Sequence, residues 1–228
     1  MATENIVDHV RGALQPLADP EQARRMSDYL RGQFPFLGIP TPQRRAAIGK
    51  IGADLDQPTL LDAAERLWDL PQREYKYAAA DMLAGAARRL DADALAPLIA
   101  LAQREPWWDT VDALAGVVGT IVRRQRAADP RAVQAMDDAL LHPSLWVRRI
   151  AMLHQRGWRL ETDEARLFRY ALALANEEDF FLRKAIGWAL RDYARWNPPA
   201  FAAFLAEHRG RFAPLTVREA SRHMEAED

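Results

Sequence analysis

The chain contains no cysteine. That excludes disulfide staples, thiolate metal sites and a cysteine nucleophile. Serine is nearly missing as well: Ser27, Ser144 and Ser221 are the whole supply, and no GxSxG motif surrounds any of them. The five histidines show no metal-ligand spacing, and neither GxGxxG nor GxxxxGK[ST] occurs. Serine hydrolysis, nucleotide cofactors and a histidine metal site are therefore not expected. No apolar run reaches the 18 residues that would suggest a membrane span. The opening MATENIVDHVRGALQPLADP lacks the basic start and apolar stretch of a secretory signal. A soluble, cytoplasmic protein is expected. Lysine is scarce too: Lys50, Lys76 and Lys184 stand against 28 arginines. Arginine suits phosphate geometry, although codon bias in a GC-rich genome, which the abundant alanine also suggests, accounts for the ratio equally well.

What is present is a chain of 228 residues, 49% hydrophobic, with a formal net charge of −1. That is enough apolar material for a sizeable core. A near-zero charge means that a nucleic-acid partner has to be held by a local patch. No alternating strand of four or more residues stands out; nearly every segment has helical period. Asp19-Pro20 and Thr41-Pro42 each combine a capping residue with proline at the first helical position, and Asp129-Pro130, His142-Pro143 and Asn197-Pro198 mark further boundaries.

The helices recur. Trp146-Val147-Arg148-Arg149-Ile150-Ala151 matches Phe181-Leu182-Arg183-Lys184-Ala185-Ile186 at an offset of 35, and Tyr75-Lys76-Tyr77-Ala78-Ala79-Ala80 resembles both. A period near 35 residues with two helices per unit predicts an all-α fold. The expected architecture is an α-solenoid of about six HEAT-like helix pairs, a curved superhelix with a concave cleft, in a single domain over residues 1–228. Equivalent positions on successive second helices then share one face. Those positions are Tyr77, Asp112, Arg149 and Lys184.

The segment Trp107-Trp108-Asp109-Thr110-Val111-Asp112 is the most unusual. Pro106 is expected to begin a helix on which Trp108 and Asp112, four apart, share a face. One of the adjacent indoles can anchor the core while the other lines the groove. Asp109 suits the helix N-terminus, which leaves Asp112 without an evident structural task. Of the Arg148-Arg149 pair, one is expected to bond within or between repeats; the other either clamps a phosphate or pairs with Asp112. Gly187, before Trp188, costs a helix about 1 kcal/mol relative to alanine and points to a close approach by a neighbouring helix or a ligand. Arg44-Arg45, Arg88-Arg89 and Arg123-Arg124-Arg126 lie near helix ends at intervals of about one repeat, and together suit a phosphate backbone.

Four blocks, FPFLGIPTPQRR (34–45), WWDTVD (107–112), WVRRIA (146–151) and KAIGWALRDYARWNP (184–198), resemble the AlkD-type DNA alkylation-repair glycosylases, in order and at the family's separations. The resemblance covers about residues 25–200. It implies HEAT-like repeats around duplex DNA and excision of cationic alkylated purines, chiefly 3-methyladenine and 7-methylguanine, while the base stays stacked. It assigns Trp108 and Asp112 to the family's key aromatic and carboxylate, Arg149 to its active-site arginine, Trp188 to its second aromatic and Tyr29 to a further cleft aromatic. Arg148 stands where the family usually has a polar residue. On this reading the catalytic set is Asp112, Trp108, Arg149 and Trp188. The DNA-binding set is Tyr29, Arg44, Arg45, Tyr77, Arg148 and Lys184. No cofactor or metal is implied. The expected partner is duplex DNA containing alkylated bases, bound by a monomer in the cytoplasm at the bacterial nucleoid, with no membrane partner. The alternatives are a non-catalytic scaffold for DNA structures or a protein partner and, more distantly, an RNA-modification scaffold.

Overall fold

A computed structural model describes residues 2–222. Among them are thirteen α-helices and no strand, so the fold is all-α. Chain contacts divide into two compact units, Met1–Pro97 and Leu98–Asp228.

The first unit contains α1 (Ala2–Leu14), α2 (Pro20–Tyr29), α3 (Thr41–Ile48), α4 (Gln57–Asp69) and α5 (Arg73–Ala86). Helix α6 (Leu95–Leu101) crosses the division. In the first unit α4 packs on α5, and α1 on α3 and α4. Leu14, Leu60, Leu67, Trp68, Ala79 and Leu83 are buried there. Burying a leucine side chain contributes about 1.5–3 kcal/mol. The FPFLGI segment is fastened to this core by Glu74, which is fully buried and accepts from the backbone N–H groups of Leu37 (2.9 Å), Gly38 (2.8 Å) and Ile39 (3.1 Å). Gly38 has φ +94° and lies against the Asp19 carbonyl and Ala23 nitrogen, so a side chain there has neither the conformation nor the room.

The second unit contains α7 (Trp108–Gln125), α8 (Pro130–Leu140), α9 (Leu145–Leu153), α10 (Glu164–Ala173), α11 (Phe180–Ala194), α12 (Pro198–His208) and α13 (Pro214–Ser221). Helix α7 packs on α9, α9 on α11, and α11 on α13; α8 lies against α9, while α10 and α12 lie against α11. Val111, Leu114, Val118 and Ile121 of α7 are buried at helical spacing, as are Ile150, Leu182 and Leu190 of its neighbours.

Several boundaries read from sequence are present as written. The carboxylate of Asp19 accepts from Glu21 N and Gln22 N, that of Asp129 from Arg131 N, and the Asn197 amide oxygen from Ala200 N. Two need correction. Helix α3 begins at Thr41 with Pro40 in the cap position; the Thr41 hydroxyl accepts from Arg44 Nη1 (3.4 Å) instead of capping the backbone. Helix α7 begins at Trp108, not at Pro106. Trp107 is the extended cap residue (φ −154°, ψ 160°), because its indole packs against Trp146 (5.7 Å) and Phe181 (5.0 Å).

The period near 35 is written into the side-chain bonds. Arg45 reaches Asp81, Arg149 reaches Asp112, Arg123 reaches Glu161, the Asp192 carboxylate accepts from Gly157 N, and Lys184 reaches Glu219, at separations of 36, 37, 38, 35 and 35 residues. Each such bond ties a helix to a segment one period away.

Candidate active site

Asp112, on α7, receives both prongs of one guanidinium: Arg149 Nε donates to Oδ1 (2.7 Å) and Nη2 to Oδ2 (2.8 Å). The third nitrogen, Nη1, donates to the Phe181 carbonyl at the start of α11. Arg149 therefore stitches three stacked helices together. Its side chain is 1% exposed and that of Asp112 is 17% exposed. A buried arginine without its carboxylate is costly; a fork on both oxygens holds the carboxylate in one orientation. Of the two alternatives for Arg149, phosphate clamp or partner of Asp112, the structure contains the pair.

Trp108 precedes Asp112 by one turn on α7 and is partly exposed. Its neighbour Trp107 belongs to an aromatic cluster with Trp146 and Phe181, whose two rings are 5.1 Å apart. Arg148 closes the turn before its own helix, donating from Nη1 to the His142 and Pro143 carbonyls (both 2.7 Å), and pairs with Glu177 (3.0 Å).

The second aromatic, Trp188 on α11, has the guanidinium of Arg149 5.3 Å from its ring centroid. Its indole Nε1 donates to Glu219 Oε2 (2.9 Å). Glu219, on α13, also accepts from Lys184 (2.7 Å) and Arg191 (3.1 Å). Burial pushes the Glu219 carboxyl up, but the hydrogen bonds from Lys184, Trp188 and Arg191 and the charge of Lys184 outweigh it, so the group ionises below the usual carboxylate range. Sequence reading missed this residue, although the signal was available: one further step of 35 from Lys184 lands on it. Gly187 lets α13 come this near. A Cβ there would stand 2.5 Å from Glu219 Cβ and 2.9 Å from the Thr216 carbonyl oxygen. The close approach that Gly187 implied is thus by a helix.

The remaining residues singled out from sequence lie in the first unit. Arg44 is 3% exposed and donates to Asp81 Oδ2 (2.9 Å), with its guanidinium 5.0 Å from the centroid of Tyr77. Arg45 donates to the same carboxylate from Nη2 (2.7 Å), but its side chain is 63% exposed. Tyr77 is half-buried beside Phe36, and Tyr29 is 74% exposed at the end of α2. The structure thus gathers Arg44, Arg45 and Tyr77 around Asp81. It separately joins Asp112 to Arg149, and Arg149 through Trp188 to Lys184. The other basic clusters also bond across one period: Arg89 to the Leu55 and Gly52 carbonyls, and Arg123 and Arg126 to Glu161. Among the described residues no group of three His, Cys, Asp or Glu side chains is placed to hold a metal ion, and no helix is long and apolar enough to cross a membrane.

An all-α stack with a carboxylate gripped by a buried arginine and indoles close by describes a class of helical proteins in which one charged site is built from distant parts of the chain. Comparison narrows the class. The model of the DNA alkylation repair enzyme family matches residues 10–224. The chain belongs to that family. Among solved structures it is similar to one described as a predicted DNA alkylation repair enzyme from Enterococcus faecalis, with a TM-score of 0.82 and 29% identity over 90% of this chain and 95% of that one. No curated protein matches in sequence.

Proposed function

We propose that this DNA repair enzyme is a monofunctional DNA glycosylase. It hydrolyses the N-glycosidic bond of cationic alkylated purines, 3-methyladenine and 7-methylguanine, in duplex DNA and so begins base excision repair. The observation that carries the reading is Asp112: an oriented, partly exposed carboxylate with one turn of α7 between it and Trp108, and with its arginine against Trp188.

Alkylation at N3 or N7 gives the purine a positive charge, so the base departs as a neutral molecule when the bond from C1′ breaks. The deoxyribose then develops oxocarbenium character, as in other glycoside hydrolyses. A carboxylate held in place before the reaction stabilises that cation without reorganising. Asp112 also accepts a hydrogen bond from the water that adds to C1′ and takes its proton. The indole faces of Trp108 and Trp188 favour positive charge by about 0.5–2 kcal/mol each. Arg149 is a positioning residue, since all three of its nitrogens are spent within the protein. The base stays stacked throughout and the backbone is gripped by arginine, with Arg45 the exposed member of its pair. No cofactor enters the reaction. The enzyme acts as a monomer on nucleoid DNA in the cytoplasm.

Release of free base from methylated duplex DNA tests this reading. Wild-type protein should liberate 3-methyladenine and 7-methylguanine, and Asp112→Asn should not. A protein that binds the duplex but releases no base is instead a scaffold, and retained activity in Asp112→Asn removes the carboxylate from the mechanism.

A further inference from the structure

Three cations surround the Trp188 indole. Lys184 Nζ is 5.1 Å from the ring centroid, the Arg149 guanidinium 5.3 Å and the Arg156 guanidinium 5.5 Å. They differ in what else they hold. Arg149 is buried and has committed Nε and Nη2 to Asp112 and Nη1 to the Phe181 carbonyl. Lys184 is paired with Glu219. Arg156 is exposed, in the turn that follows α9, and among the described residues its guanidinium has neither a carboxylate nor a hydrogen-bond acceptor. Its backbone, by contrast, is fixed: Arg156 N donates to the Leu153 carbonyl (3.0 Å), and the next residue, Gly157, donates to the Asp192 carboxylate (2.7 Å).

An arginine laid on an indole loses little freedom when it binds and keeps its N–H edge open, an arrangement suited to a bidentate anion. Charge counting around the ring points the same way. Asp112 holds Arg149, and Glu219 holds both Lys184 and Arg191, so of the three cations around the ring only Arg156 has no carboxylate partner among the described residues. We propose that Arg156 binds a backbone phosphate of DNA next to Trp188, and that it, rather than Arg149 or Lys184, supplies the phosphate contact at the active site. The proposal rests on the reading of this site as the one that faces DNA.

Salt titration of binding to undamaged duplex DNA tests it without requiring catalysis. Each phosphate contact adds about 0.9 to the slope of log K against log salt. Arg156→Ala should lower the slope by about that amount, and Arg156→Lys should restore it, since charge and not fork geometry sets the slope. Arg25→Ala serves as control, because that arginine is bonded to Glu21 one turn away; its slope should match wild type. With methylated duplex, Arg156→Ala should raise KM about tenfold or more and change kcat less, as removal of a charge-assisted hydrogen bond to the bound strand predicts. An unchanged slope in Arg156→Ala, or an equal fall in Arg25→Ala, overturns the assignment. Failure of the glycosylase reading is distinguishable: wild-type protein would then release no base, while the slope would still fall in Arg156→Ala.

Discussion

Each unit contains a buried arginine that reaches back 37 residues, or forward by as many, to an aspartate, with an aromatic ring beside the guanidinium. In the first, Arg44 holds Asp81 and lies 5.0 Å from Tyr77; in the second, Arg149 holds Asp112 and lies 5.3 Å from Trp188. Exposure does not separate the two carboxylates, at 23% for Asp81 and 17% for Asp112. Charge does. Asp81 is shared by two guanidiniums, Arg44 and Arg45, so its cluster is left with one positive charge. Burial raises the Asp81 carboxyl, and the bonds from Arg45 and Arg44 more than reverse the effect. Asp112 has one guanidinium, so that ion pair is neutral. A cation forming beside Asp81 would meet net repulsion, whereas beside Asp112 it meets an oriented carboxylate. The repeat provides the ion pair in both units; in the first, a second arginine leaves the cluster positively charged.

The largest expected effect compares the two aspartates directly. Asp112→Asn keeps the size of the side chain and loses its charge. Excision should fall about 100-fold or more, the scale of one lost electrostatic contact to a transition state, with much of the DNA affinity kept. Asp81→Asn should leave kcat within a few-fold and act on DNA affinity and stability instead. Equal losses of kcat in the two variants, measured by single-turnover base release, would erase the distinction.

The next effect is on stability. His154 is 2% exposed, and burial pushes its imidazole down to about 4 despite the hydrogen bond to the Ala151 carbonyl (2.6 Å). Because the unfolded chain binds the proton first, stability should fall as pH drops from 6.5 towards 4, by about 3 kcal/mol at 1.36 kcal/mol per pKa unit. Asp137, at about 2 through hydrogen bonds from Arg166, Tyr170 and Arg169 that outweigh its burial, adds a further loss below pH 4. Both groups are in the second unit. Urea melts at pH 7 and pH 4.5 should show the loss, and His154→Asn, which keeps a donor towards Ala151 and does not titrate, should flatten it.

Two helix glycines extend the comparison. Gly187→Ala drives a Cβ into Glu219 and Thr216 and should cost about 1–3 kcal/mol. Gly85→Ala, in α5 of the first unit with nothing within 4 Å of its Cβ, should stabilise by about 0.5–1 kcal/mol. Thermal melts that moved in the same direction would contradict this packing. The smallest effect is that of the rings. Trp188→Ala and Trp108→Ala should each lower excision about 2- to 30-fold, as the loss of about 0.5–2 kcal/mol of cation–π stabilisation implies, less than Asp112→Asn in the same assay.

Much of this was legible in the sequence because it is local or periodic. Asp19, Asp129 and Asn197 cap helices as their prolines suggested, since capping needs only the next three residues. The recurrence of 35 aligned Asp112 with Arg149, and carried one step further it reaches Glu219. Trp107 was misplaced because nothing local says that its indole is drawn towards Trp146 and Phe181, residues 39 and 74 positions away. Thr41 was misread because a hydroxyl that resembles a cap accepts from a guanidinium instead.

By itself the sequence determined the all-helical class, the spacing of the helices, the lack of any thiol, and the family. Apolar period and cap residues act over a few positions, and motifs survive as strings. The tertiary structure decided which charges remain available. Arg44, Arg148, Arg149 and Lys184 read alike as basic residues near a groove, yet their carboxylates and carbonyls lie 5 to 37 residues away, and only packing brings the partners together. Whether an arginine meets DNA or a buried carboxylate depends on that pairing, because a buried cation without a partner costs more than the fold can spare.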